Sequence, residues 1–244
     1  MRIDRKNLVI SFYNIIFISQ IFAFKEQVDF TTVRSDLHGV VFQYFGKSHS
    51  EKFLPVCEKN AVCSIAHNRF WLIPLITRFC QCPSGFDCPW QIENDNFTMS
   101  LNNRSTLKYC EPVNNTLKTC KEGETAISVE SYTINNKVQS NPPTAISTCY
   151  CPKNSYWKHT KRLEQSIGLN PAIRRIDYYK CLPLDMCFSD ELCGYIHYNY
   201  SSVYYRCSCP ENHLCINRDF NITYVNELFY QGDGLQAFCI KNPY

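Results

Sequence analysis

Cys80-Gln81-Cys82-Pro83, Cys149-Tyr150-Cys151-Pro152 and Cys207-Ser208-Cys209-Pro210 are three copies of one motif, and their surroundings decide the fold. Around them the 16 cysteines of the 244-residue chain fall into three groups. The first runs C-x5-C-x16-C-x-C-P-x4-C-x21-C through Cys57, Cys63, Cys80, Cys82, Cys88 and Cys110. The third repeats it as C-x5-C-x13-C-x-C-P-x4-C-x23-C through Cys187, Cys193, Cys207, Cys209, Cys215 and Cys239. The middle group holds only Cys120, Cys149, Cys151 and Cys181. A repeat of about 60 to 70 residues is too long for a solenoid unit and fits three small tandem modules. Two closing segments, Cys110-Glu111-Pro112-Val113 and Cys181-Leu182-Pro183-Leu184, also match.

The middle group lacks the second and fifth cysteines together, as bonded partners would be lost. Cys63–Cys88 and Cys193–Cys215 are therefore the expected pairs. In a strand, residues two apart point to one face, so both sulfurs of C-x-C face the core. A bond between them is strained. That leaves first-to-third with fourth-to-sixth, or first-to-fourth with third-to-sixth; the former is favoured. Zinc is the alternative use for so many thiols, but the usual C-x2-4-C pairs are absent. Modules this small cannot bury a generous core, so crosslinks are expected to carry much of their stability.

The chain opens on a charged stretch, Met1 to Lys6, followed by an apolar run from Leu8 to Phe24. Residues 1–23 read as a secretory signal peptide, which places the protein outside the cell. No later apolar stretch is long enough to span a bilayer, so no stable membrane insertion is expected. Sequons stand at Asn96, Asn103, Asn114, Asn199 and Asn221, as in an exported glycoprotein. In that compartment disulfides are the expected fate of every cysteine. Net charge is +3, of which the leader supplies +2, so the basic bias of a nucleic-acid binder is missing.

The class expected is mainly β: three small tandem disulfide-rich modules of three-finger-like short hairpins, with little helix. The modules are placed at 55–113, 114–184 and 185–244, after an N-terminal segment at 24–54. Val40–Phe45 and Ala126–Ile134 read as strands. Val203–Cys209 alternates in period two, putting Val203, Tyr205, Cys207 and Cys209 on one face and Tyr204 on the other. His159–Gly168 is the one helix candidate, and Gln231-Gly232-Asp233-Gly234 reads as a turn.

No catalytic pattern occurs. H-E-x-x-H, G-x-S-x-G and the P-loop are all missing, and His38, His49, His67, His159, His197 and His213 are scattered singly. The reading is a binding protein without cofactor or metal. Two segments are unusually apolar or aromatic. Phe70-Trp71-Leu72-Ile73-Pro74-Leu75-Ile76 reads as a hairpin packed on its own sheet or as an exposed patch for a partner. Tyr195 to Tyr205 is rich in tyrosine, which suits interfaces. On composition alone, Phe70, Trp71, Ile73, Tyr198 and Tyr204 are the expected partner contacts.

The stretches Leu54-Pro-Val-Cys-Glu-Lys-Asn-Ala-Val-Cys-Ser64, Cys149-Tyr-Cys-Pro-Lys-Asn-Ser155, Cys80-Gln-Cys-Pro83 and Cys207-Ser-Cys-Pro210 are distinctive when taken in order with the two closing segments. Together they resemble the giant-lens (Argos) family of secreted antagonists of EGF-receptor signalling. The resemblance runs from about residue 54 to residue 239. It implies a monomeric protein whose three modules clamp and sequester an EGF-like growth factor, without turnover. Linkers of nine residues (Cys110 to Cys120) and five (Cys181 to Cys187) keep neighbouring modules at high effective concentration around one ligand. No ligand-contacting residue carries over, because the matching residues are structural cysteines and prolines. The alternative reading is a secreted disulfide-rich toxin or effector acting on a receptor or channel.

Overall fold

A computed structural model describes residues 30–35, 39–46, 49–92, 95–134, 137–138, 141–168, 172–198 and 200–242. The signal-peptide stretch and Asn199 lie outside the described residues. The protein is mainly β and rich in disulfides, with three antiparallel-dominated sheets.

The first sheet contains β1 (Phe30–Ser35), β2 (Val40–Phe45), β3 (Val62–His67), β4 (Leu75–Arg78), β5 (Thr98–Ser100) and β6 (Ser105–Tyr109), in the order β1-β2-β4-β3-β6-β5. β1 pairs with β2 and β2 pairs parallel with β4, so these two strands of the N-terminal segment are built into this sheet. Arg78 fastens it from below. Its buried guanidinium donates to the Cys88 carbonyl (2.9 Å), meets Glu51 (2.9 Å) and lies over the Phe42 ring (5.1 Å). One short helix, α1 (Val113–Thr116), leads out of the sheet.

The second sheet holds β7 (Thr125–Ile134), β8 (Lys137–Val138), β9 (Thr144–Ser147), β10 (Ser155–Ile167) and β11 (Ala172–Pro183). β10 and β11 form a long hairpin, and β7 lies along β11. His159 to Gly168, the helix candidate, is strand instead: Trp157, His159 and Arg162 pair across β11 with Cys181, Tyr179 and Asp177. The third sheet is β12 (Leu192–His197), β13 (Val203–Tyr205), β14 (His213–Ile216), β15 (Ile222–Glu227) and β16 (Tyr230–Lys241), arranged on β16. Gln231 to Gly234 lies inside β16 and is not a turn. Gly234 is needed there because a Cβ would meet Val225 Cγ2 at 2.5 Å.

The three C-x-C motifs build the same knot three times. Each central residue forms an isolated parallel bridge to the residue before the group's first cysteine: Val56–Gln81, Thr119–Tyr150 and Met186–Ser208. Two backbone hydrogen bonds close each knot, for example Cys57 N–H to Gln81 O (2.8 Å) and Gln81 N–H to Pro55 O (2.9 Å). The expected strand through C-x-C thus shrinks to a single bridge, and β13 ends at Tyr205. Left-handed backbone recurs three residues after the first cysteine at Asn60, Gly123 and Asp190. It recurs again three after the fourth, at Gly85, Asn154 and Asn212. These positions hold only Gly, Asn and Asp, the residues that accept positive φ most readily.

Each sheet is closed by its own cysteine group. The bonds are Cys57–Cys80, Cys63–Cys88 and Cys82–Cys110, then Cys120–Cys149 and Cys151–Cys181, then Cys187–Cys207, Cys193–Cys215 and Cys209–Cys239. The first and third sheets each have a sulfur-rich core of their own. The sheets are nevertheless not separate beads. The largest apolar cluster runs from Phe45, Val62 and Met99 through Ile127 and Trp157 to Tyr204 and Leu228, across all three. Units this small leave aromatic area that only a neighbour can cover.

Candidate functional site

The described surface has two features that bear on function: a projecting apolar tip and a set of packed joints between sheets. The tip connects β3 to β4. Trp71 is 89% exposed at φ 62°, Leu72 is 57% exposed and Phe70 46%, while Ile73 is half-buried. Phe70 and Trp71 pack edge to face at 4.5 Å. The Arg69 Nε donates to the Ile73 carbonyl at 2.8 Å, which folds the tip on itself. The base is fixed by Asn68 N–H to Arg104 O (2.8 Å) and Val41 N–H to Pro74 O (2.9 Å).

The tyrosine-rich segment divides. Tyr198 is 60% exposed, but Tyr204 is 6% exposed and belongs to the shared core. Its hydroxyl donates to the Leu228 carbonyl at 3.4 Å, and burial raises its pKa. Tyr204 is therefore withdrawn as a partner contact. Period-two alternation failed there because β13 is only three residues long and both Val203 and Tyr204 are buried.

The first and third sheets meet through a ladder of rings. Tyr200 lies between His67 (4.8 Å) and His197 (4.3 Å), and His197 continues onto Tyr230 at 3.6 Å. His67 Nδ1 is 2.9 Å from Ser105 Oγ. Burial holds His67 down to about 3, with His197 and Arg69 adding to the shift, and holds His197 down to about 4. Both rings are thus neutral at physiological pH. Phe79 stacks on Phe229 at 5.1 Å, and the Val203 N–H donates to Asn103 Oδ1 at 2.7 Å.

The first and second sheets are joined by Tyr109 Oη with Ser147 Oγ (2.8 Å), Trp157 Nε1 donating to Ser100 O (3.0 Å) and the bridge Ala61–Ile146. Where the three sheets converge lies a cleft of about 470 Å³, lined among others by Asn102, Tyr156, Tyr205, His213 and Glu227. Glu227 pairs with Arg206, whose guanidinium sits over Tyr156 and Tyr195. Burial outweighs that pairing and pushes the Glu227 carboxyl up to about 7.

Sulfur atoms gather closely in four places, for example Cys57, Cys82 and Cys110, all within 4.8 Å. Every described cysteine is bonded to another, so these clusters offer no thiolate to a metal. Of the sequons, Asn96, Asn103, Asn114 and Asn221 are exposed. The ring ladder was missed in the sequence. His67 and His197 each close a strand, but nothing local to either one names the other.

No protein-family model matches the chain. U-scoloptoxin(11)-Sm7a of Scolopendra morsitans is 26% identical over 168 residues, covering 66% of this chain and 70% of the toxin. Kappa-scoloptoxin(11)-Ssd1b of Scolopendra dehaani is 24% identical over 163 residues, covering 66% and 73%. Among solved structures, unliganded Argos aligns with a TM-score of 0.51 at 25% identity. That alignment covers 83% of this chain and 99% of Argos. The disulfide-rich, mainly β fold of this chain is thus Argos-like, aligned over nearly the whole of that structure.

Proposed function

We propose that this protein is secreted and sequesters an EGF-like growth factor, holding it away from its receptor as a stoichiometric antagonist. The observation that carries the reading is the extent of the Argos likeness. It covers 83% of this chain and 99% of Argos. Eight disulfides suit an extracellular protein, and no helix among the described residues is long and apolar enough to cross a membrane. In this reading the working molecule is a monomer of modules 55–113, 114–184 and 185–244, with glycans on its exposed sequons. The shared core favours a rigid clamp over three independently tethered grips, because a preorganised binder spends less of its contact energy on ordering. The test is to mix purified protein with a panel of EGF-family ligands and follow complex formation and receptor phosphorylation. Capture of at least one ligand with loss of receptor phosphorylation is expected. Failure to bind any of them, with receptor output unchanged, removes the reading.

The second reading is a toxin acting on a receptor or channel, favoured by the two scoloptoxin relatives. Expression confined to a venom gland, together with current block and no growth-factor capture, selects it.

A further inference from the structure

Trp71 occupies the worst available position for a large apolar residue. Its backbone is left-handed at φ 62°, a region that disfavours any side chain bearing a Cβ. Its indole is 89% exposed. Neither cost helps the fold, since a glycine would relieve both. Backbone strain of this kind marks a function to look for.

The tip's chemistry identifies the partner. Phe70, Trp71 and Leu72 together present on the order of 400 Å² of largely apolar side chain, judged from their exposures and ordinary side-chain areas. That is about half of what each partner contributes to a stable protein complex. Two cations stand at the tip's base. Arg104 lies over the Phe70 ring at 4.5 Å, and Arg69 folds onto the Ile73 carbonyl. Among the described residues, neither arginine forms an ion pair with a carboxylate. An exposed indole with adjacent leucine and phenylalanine above arginines that no described carboxylate neutralises is the composition of a membrane-interface anchor. The indole suits the headgroup level, and the guanidinium groups suit lipid phosphates.

We propose that the Phe70–Trp71–Leu72 tip seats reversibly in an anionic lipid surface, with Arg69 and Arg104 on the headgroups. It acts as a peripheral anchor that concentrates the secreted protein at cell surfaces, and it inserts no spanning segment. The inference stands apart from growth-factor capture and can fail while that reading survives, because lipid binding is measured with no growth factor present.

Full-length protein is sedimented with phosphatidylcholine vesicles with and without phosphatidylserine, and tryptophan emission is recorded in parallel. Binding to the phosphatidylserine vesicles with a blue shift is expected, falling with added salt. Trp71→Gly fits the left-handed backbone and folds, which its thermal midpoint verifies. Its partitioning is expected to be about tenfold or more weaker, with the blue shift gone. Arg104→Glu is expected to abolish the preference for the anionic vesicles. Absence of binding to either vesicle, or Trp71→Gly binding as tightly as the parent, overturns the proposal. So does loss of growth-factor affinity in Trp71→Gly without any lipid binding, because the tip then belongs to a protein interface.

Discussion

The outer two sheets and the middle one solve the same packing problem with different chemistry. Six residues after the first cysteine stand Cys63 and Cys193 in the outer groups, but Ala126 in the middle one. Six after the fourth stand Cys88 and Cys215, against Trp157. Where the outer sheets have a disulfide, the middle sheet has a small residue and a large one, both buried in the shared core. The disulfide makes a unit self-sufficient, since both ends of the link belong to the same cysteine group. The tryptophan makes a sheet dependent, because its Nε1 reaches Ser100 O in the first sheet and its ring joins a cluster fed from all three. The middle sheet is thus the keystone, although it has the fewest crosslinks.

That contrast can be broken most severely at Trp157. Trp157→Ala should cost about 3–5 kcal/mol, read from the denaturant midpoint. Hydrogen exchange should accelerate in both the first and second sheets, not in the second alone. A cost under about 1 kcal/mol would show that the shared core is not what holds the sheets together.

The complementary change removes the Cys63–Cys88 bond by paired alanines. Its expected cost is about 2–5 kcal/mol, with lost protection confined to the first sheet. Spread of that loss into the third sheet would erase the distinction between self-sufficient and dependent units.

Acid provides a smaller and graded test at the ring ladder. His67 and His197 have pKa values lowered by burial to about 3 and about 4, below their unfolded value near 6.5. The unfolded chain therefore binds more protons in that window. Stability is fully present above about pH 6.5 and falls as pH drops toward 4, by on the order of 1 kcal/mol per histidine per pH unit. Glu227, raised to about 7 from 4.5, works the other way, since its contribution is lost as pH rises through that interval. Replacing both histidines by phenylalanine should flatten the acid limb, and an unchanged acid limb would refute the assignment.

At the first-to-second joint, Tyr109→Phe leaves the buried Ser147 hydroxyl without its partner and should cost about 1–2 kcal/mol by chemical denaturation. Smallest is Trp71→Gly, which relieves a left-handed backbone on an exposed loop. It should leave stability unchanged or raise it by under about 1 kcal/mol in thermal melts.

Much of this architecture could be read from the sequence. The three C-x-C-P motifs gave the class, and the missing second and fifth cysteines pointed to partners that are bonded in the structure. The left-handed turn positions were also present, as Gly, Asn or Asp at fixed distances from cysteines, but they were not read. Nor was the exchange of Cys for Ala126 and Trp157, visible once the groups are aligned by number. The buried ladder and the burial of Tyr204 could not have been found this way. They depend on how sheets distant in sequence pack, and period-two alternation carries no information across that distance. The tip was legible in composition, yet Trp71's exposure and strained backbone came only with the structure.

Scanning calorimetry of the disulfide-intact chain, with hydrogen exchange to locate what opens, tests the keystone account most directly. One transition is predicted, with calorimetric and van't Hoff enthalpies equal and all three sheets opening together. Two or three separable transitions, with either outer sheet melting while the middle sheet stays protected, would contradict it.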